Sequence, residues 1–122
     1  MDKVVHFEIP ADDIEKTKEF YHEVFGWVIN PVPGMDYTIV HTGPTDKDGM
    51  PMESGFVNGG IRRRTEINTT VVTIGVEDID KALEEIVKQG GELVEKKMPA
   101  GDMGFTAYFK YENNIVGLWQ NK

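Results

Sequence analysis

The sequence contains no cysteine. That excludes a disulfide framework, thiolate-bound zinc, a cysteine-ligated iron–sulfur cluster and a cysteine nucleophile. No stretch approaches the roughly 18 consecutive apolar residues of a membrane span. The opening MDKVVHFEIP lacks the basic and apolar regions of a secretory signal. Basic residues are scarce, with 13 Lys+Arg against 21 Asp+Glu and a net charge of −8. A general nucleic-acid binder needs a basic face, and the three arginines Arg62, Arg63 and Arg64 are the one dense basic spot. The expectation is a cytoplasmic domain with no nucleic-acid or membrane partner.

What is present is a pattern that occurs twice. Val4–Ile9 (VVHFEI) alternates, with Val5, Phe7 and Ile9 on one face and Val4, His6 and Glu8 on the other. Period two predicts a strand with one buried face, and Pro10 is expected to end it. Asp12 stands three residues before Glu15, a capping-box arrangement. Ile14, Thr17, Tyr21, Val24 and Phe25 follow at helical spacing, Phe20 widens the stripe, and Gly26 suits a left-handed helix end.

From Val71 the same order returns. VVTIGV parallels VVHFEI, Asp13-Ile14-Glu15-Lys16 aligns with Asp78-Ile79-Asp80-Lys81, and Gly26 aligns with Gly91. His6 thereby pairs with Thr73. Three strand-like runs follow each helix: Trp27–Val32, Tyr37–Thr42 and Gly55–Arg63, then Glu92–Lys97, Gly104–Tyr111 and Ile115–Gln120. Gly43–Ser54 reads as a mobile loop, and Thr65–Asn68 as the linker between modules. Charge divides evenly: residues 1–65 carry 7 basic and 11 acidic side chains, residues 66–122 carry 6 and 10. The chain therefore reads as one α+β domain of two tandem β-α-β-β-β modules, about 1–65 and 66–122, each too small to stand comfortably by itself.

On HFEIPADDIEKTKEFYHEVFGW near the start and VGLWQ near the end, the chain resembles the vicinal oxygen chelate superfamily. That group includes glyoxalase I, extradiol dioxygenases and bleomycin resistance proteins. The resemblance implies curled mixed sheets around a shared cavity, with the helices on the outer face. His6 and Glu8 would then face the cavity, as would Val71, Thr73 and Gly75, while Val72, Ile74 and Val76 pack under the helix.

Family enzymes hold a divalent metal, typically Zn, Ni, Mn or Fe, with one ligand from the first and last strand of each module. His6 matches the first position. Thr73 stands where a histidine is implied, Gly117 where a glutamate is implied, and Asn58-Gly59-Gly60-Ile61-Arg62 supplies no carboxylate or imidazole. No cofactor is expected on this pattern, although His41 and Glu8 are candidates to rebuild a metal site around His6.

The remaining residues have a functional and a plain reading. His6 is either a cavity polar group or a structural histidine bonded to Glu8 or a neighbouring strand. Glu8 could raise the imidazole pKa or be a solvated edge charge. Arg62 and Arg64 share one side of a strand and Arg63 the other, either gripping an anion or ending the strand in water. Trp119 shares parity with Gly117 and should project into the cavity, with Tyr37, Tyr108 and Tyr111 as a further aromatic wall. Trp27, Phe20 and Phe25 read as core or interface, His22 as a helical surface residue. Met50, Met52, Met98 and Met103 read as loop residues. Gly59-Gly60 is too short for a nucleotide fingerprint and reads as a bend or close backbone approach.

The leading expectation is a glyoxalase/bleomycin-resistance-like homodimer that binds a small organic molecule through His6, Glu8, Thr73, Trp119 and Arg62 without the family's metal. The alternative is a metal-dependent lyase or isomerase of the lactoylglutathione lyase type, or a dioxygenase. A protein-interaction module is the third class.

Overall fold

The computed structural model covers residues 1–122. The first series of elements is β1 (Lys3–Ala11), α1 (Ile14–Phe25), β2 (Val28–Pro31), β3 (Tyr37–His41) and β4 (Gly59–Arg63). The second is β5 (Val71–Gly75), α2 (Ile79–Lys88), β6 (Glu92–Ala100), β7 (Gly104–Tyr111) and β8 (Asn114–Asn121). The class is α+β, as the repeated pattern predicts. Two compact units result, His6–Thr70 and Met1–Val5 with Val71–Lys122. No helix is long and apolar enough to cross a membrane.

In the first unit the strands lie in the order β2-β3-β4-β1. β2/β3 and β3/β4 are antiparallel and β4/β1 is parallel. In the second unit the order is β5-β8-β7-β6, with β5/β8 parallel and the other pairs antiparallel. The two units repeat one strand order: in each, the first strand of the series pairs in parallel with the last.

Register sorts the side chains. Glu8 pairs with Gly60, Gly60 with Ile39 and Ile39 with Asn30, so even residues of β1, β2 and β4 share a face with odd residues of β3. The opposite face carries Phe7, Ile9, Ala11, Ile29, Val40 and Ile61, which pack with Ile14, Tyr21 and Trp27 into the first core. Tyr21 stacks on Trp27 at 4.9 Å and Phe7 meets the same indole at 5.6 Å. In the second unit Ile74, Val76, Ala107 and Leu118 pack against Ile79, Ala82, Leu83 and Ile86 of α2.

Several local expectations need correction. β1 does not stop at Pro10: proline lacks an N–H, but its carbonyl still accepts, and the strand continues until Ala11 accepts from the Arg64 amide at 2.9 Å. Asp13, not Asp12, caps α1 by accepting from the Lys16 amide at 3.0 Å. Asp12 is engaged by Arg64 at 3.0 Å instead. The cap of α2 is Asp78, the residue aligned with Asp13, which accepts from Lys81 at 3.1 Å. Gly26 takes the left-handed conformation at φ 74°, but its counterpart is Gly90 at φ 101°, not Gly91. A Cβ on Gly91 would sit 2.5 Å from Ile86 Cγ2, so that glycine is retained for space.

The predicted helical stripe is only half covered. Ile14, Thr17 and Tyr21 are half-buried, whereas Phe20, Val24 and Phe25 are exposed. Val5 and Val72, expected on the faces packed beneath the helices, are exposed as well. β2 and β4 are shorter than expected, and β6 is longer, which moves Met98 from a loop into a strand opposite Thr106. The loop read as mobile is tied at its base: Asn58 accepts from the Thr42 amide at 3.0 Å and donates to Thr45 Oγ1 at 3.1 Å. Within the segment read as a linker, Ile67 is buried.

Candidate functional site

The face of the first unit turned away from α1 is polar. β1 contributes His6 and Glu8, β4 contributes Gly60 and Arg62, β3 contributes Tyr37, Ile39 and His41, and β2 contributes Asn30. Strand parity alone places these groups together; burial decides what they can do.

His6 Nε2 lies 2.8 Å from the Tyr37 hydroxyl. Tyr37 pairs with Arg62, not with the residue beside His6, so its ring must cross β4 diagonally. It does so over Gly60, where a Cβ would collide with the Tyr37 hydroxyl. On the other face Gly59 makes the same allowance for the Phe7 ring, 2.5 Å from a Cβ there. The glycine pair thus admits two aromatic rings to the two faces of one strand.

Glu8 is 6% exposed, so it is not a solvated edge charge. Its carboxylate lies 3.7 Å from Arg62 Nη1, and Arg62 is half-buried beside it. Arg62 therefore does not end the strand in water. Arg63 meets Asp36 at 3.1 Å and Arg64 meets Asp12 at 3.0 Å, so each member of the arginine run has a separate acidic partner.

The pKa of His6 is lowered from its usual 6.5, first by burial, with the Glu8 charge opposing. Sequence reading anticipated the Glu8 effect and missed the larger one. The neutral imidazole is favoured in the folded state. As pH falls below 6.5 the unfolded chain takes up the proton first, so stability is lost through the window between 6.5 and the lower folded value. His6→Gln is expected to flatten the acid side of a Tm-against-pH profile. An unchanged slope between pH 7 and 5 would contradict this origin.

In the second unit the equivalent face carries Thr73, Gly117 and Tyr108 in one row, and Gly75, Trp119 and Thr106 in the next. Thr73 and Tyr108 are buried. Trp119 is half-buried and donates from Nε1 to Asn121 Oδ1 at 2.6 Å. A Cβ at Gly117 would lie 2.7 Å from Thr73 Oγ1 and 3.4 Å from Tyr108 Cε1. The space that a glutamate at 117 would need is filled by neighbouring side chains. Tyr111 is not part of this face's wall; it is exposed and lines a surface concavity with Gly90, Glu92 and Lys110.

These residues do not fit the four-ligand metal set that the resemblance implies. His6 alone has the family's donor type, and its Nε2 is engaged by Tyr37. His41 cannot complete a site with Glu8: its Nδ1 accepts from Asn30 at 3.2 Å at the β2 edge, while Glu8 faces Arg62 on the far side of β4. His22 is taken up locally, its Nδ1 lying 2.9 Å from the Trp27 carbonyl. The group that sequence reasoning missed is the Tyr37–His6 bond. Its signal was present in Gly60, a mid-strand glycine between two strands carrying polar side chains.

Residues 3–43 match the family model described as bleomycin resistance protein-like N-terminal. Proteins of Mycobacterium bovis and Mycobacterium tuberculosis, both provisionally named glyoxylase CFP32, are 29% identical over 119 residues. The match takes in 93% of this chain and 43% of theirs, so the chain spans less than half the length of these relatives. Among solved structures, a glyoxalase/bleomycin resistance protein/dioxygenase superfamily member from Vibrio splendidus superposes with a TM-score of 0.65 at 13% identity, covering 100% of both chains. A methylmalonyl-CoA epimerase variant from Streptomyces coelicolor in complex with 2-nitronate-propionyl-CoA gives 0.64 at 15% identity, covering 98% of this chain and 96% of that one. At such identities these likenesses concern the fold alone. The N-terminal family match, the glyoxylase-named relatives and the shared fold agree in making the chain similar to proteins of the glyoxalase/bleomycin resistance/dioxygenase group.

Proposed function

We propose that the protein binds a small organic molecule on the polar face of its first unit, without a divalent metal, as a cytoplasmic homodimer. The observation that carries this reading is the convergence of His6, Tyr37, Glu8 and Arg62 on one face, with His6 bonded to Tyr37 and Glu8 beside Arg62. A few placed polar groups in a partly buried setting are the usual means of orienting a small ligand. Neutral imidazole and phenol supply hydrogen bonds without net charge, and the Glu8–Arg62 pair supplies a fixed dipole next to them. The solved relative that holds a coenzyme A ester analogue gives a precedent for ligand binding on this fold. The dimer is supported by the exposed Phe20, Val24 and Phe25, an apolar face on α1 of the kind that subunits cover.

The test is a thermal-shift screen of small organic ligands on the wild type, His6→Ala and Arg62→Ala. A hit should raise Tm in the wild type and lose most of that shift in both variants. Ligands that act equally on all three, or none that act at all, would remove the reading. Elemental analysis of chelator-free protein should find less than stoichiometric Zn, Ni, Mn and Fe, and light scattering should give twice the chain mass.

A further inference from the structure

We propose that Tyr37 takes the imidazole lone pair that a metal ion would otherwise use, making it the residue that holds His6 as a hydrogen-bonding group in this chain. The proposal deepens the metal-free part of the reading above. It concerns a residue to which the family's ligand set assigns nothing.

The geometry is specific. A neutral imidazole has one N–H and one lone pair, and only the lone-pair nitrogen can bind a metal or accept a hydrogen bond. His6 presents Nε2 to the Tyr37 hydroxyl at 2.8 Å, the length of a good O–H···N bond. With the phenol O–H donating the hydrogen bond to Nε2 and keeping its hydrogen, the single imidazole proton lies on Nδ1. A metal at Nε2 and the Tyr37 hydroxyl are therefore mutually exclusive occupants of one site.

A chance contact between long side chains would need no accommodation elsewhere; this one has it. Tyr37 reaches His6 from two strands away, and Gly60 on the intervening strand is the space through which it passes. Any side chain at 60 would push the phenol off the imidazole. Buried Thr73 and Tyr108 fill the place of a glutamate at 117 in the second unit by the same kind of local packing. Two of the implied ligand positions are thus occupied sterically, beyond lacking the right residue type.

The experiment uses the full chain labelled with ¹⁵N, and Zn²⁺ alone as the probe. Long-range ¹H–¹⁵N spectra at pH 7 should show His6 with a protonated Nδ1 and an unprotonated Nε2. One equivalent of Zn²⁺ should leave those signals in place. Tyr37→Phe keeps the ring and removes only the hydroxyl; His6 should then respond to Zn²⁺ with an apparent affinity about tenfold higher. Gly60→Ala should reproduce that response by displacing the phenol, and Tyr37→Phe decides the matter where Gly60→Ala does not fold. A proton found on Nε2 in the wild type overturns the proposal, as does an equal Zn²⁺ response in wild type and Tyr37→Phe. Zn²⁺ bound by the wild type and lost in His6→Ala overturns both this proposal and the metal-free reading. Zn²⁺ bound independently of His6 overturns the metal-free reading alone, while the nitrogen assignment upholds the role of Tyr37.

Discussion

Arg62→Met should cost about 3 kcal/mol of folding free energy, the lower end of what removing one partner of a buried ion pair costs. Glu8 is shielded from water and Arg62 lies 3.7 Å from its carboxylate. Taking away the guanidinium leaves a negative charge in a place where water cannot replace it. The lower end applies because 3.7 Å is beyond hydrogen-bond length and the Arg62 side chain remains 20% exposed. Methionine retains most of the apolar stem, so the loss reports the charge and not the packing. Glu8→Leu/Arg62→Met should recover most of that loss, since two apolar side chains impose no unmatched charge. Urea unfolding of the two single variants and the double variant measures the coupling directly. A single-variant loss below about 1 kcal/mol would mean the pair behaves like a solvated surface pair.

Ile61→Ala should be comparably severe, at about 2–5 kcal/mol. Ile61 is fully buried at the centre of β4, pairs with Ile9 on one side and Thr38 on the other, and packs with Ala11 and Val40. Removing its side chain opens a cavity bounded by sheet backbone, which cannot close without breaking register. The contrast is Val87→Ala on α2, a residue exposed to solvent, which should change stability by about 0.5 kcal/mol or less. Chemical denaturation of both variants tests the sorting of buried and exposed positions. Equal losses would show that α2 buries its outer side as well.

The repeated module was legible because alternation and helical spacing are local properties of the chain. Phe7 and Ile9 reached the core face, and Gly104–Tyr111 matched its strand residue for residue. The cap at Asp13 is legible in the alignment of Asp13 with Asp78, whereas the capping-box spacing points to Asp12. The exposure of Phe20, Val24 and Phe25 was not legible. Apolar periodicity says that a face is apolar, not that anything covers it. Parity put His6 and Glu8 on one face, but two facts of register completed the site. Arg62 lies one pair beyond Gly60, and Tyr37 lies opposite Arg62. Cross-strand register depends on pairing between segments more than twenty residues apart, which no window of local sequence encodes.

The division of β1 has a consequence for how the chain is made. Met1–Val5 belong with Val71–Lys122, and Val5 packs on Gly75, whereas His6–Ala11 belong with the unit that ends at Thr70. During synthesis the head of this strand must remain without its packing partners while all of residues 6–70 are added and Val71–Gly75 follow. The other unit can complete its own pairings in that interval. Translation thus imposes an order in which residues made early are fastened late, and a fragment of residues 71–122 would lack Met1–Val5 of its own unit.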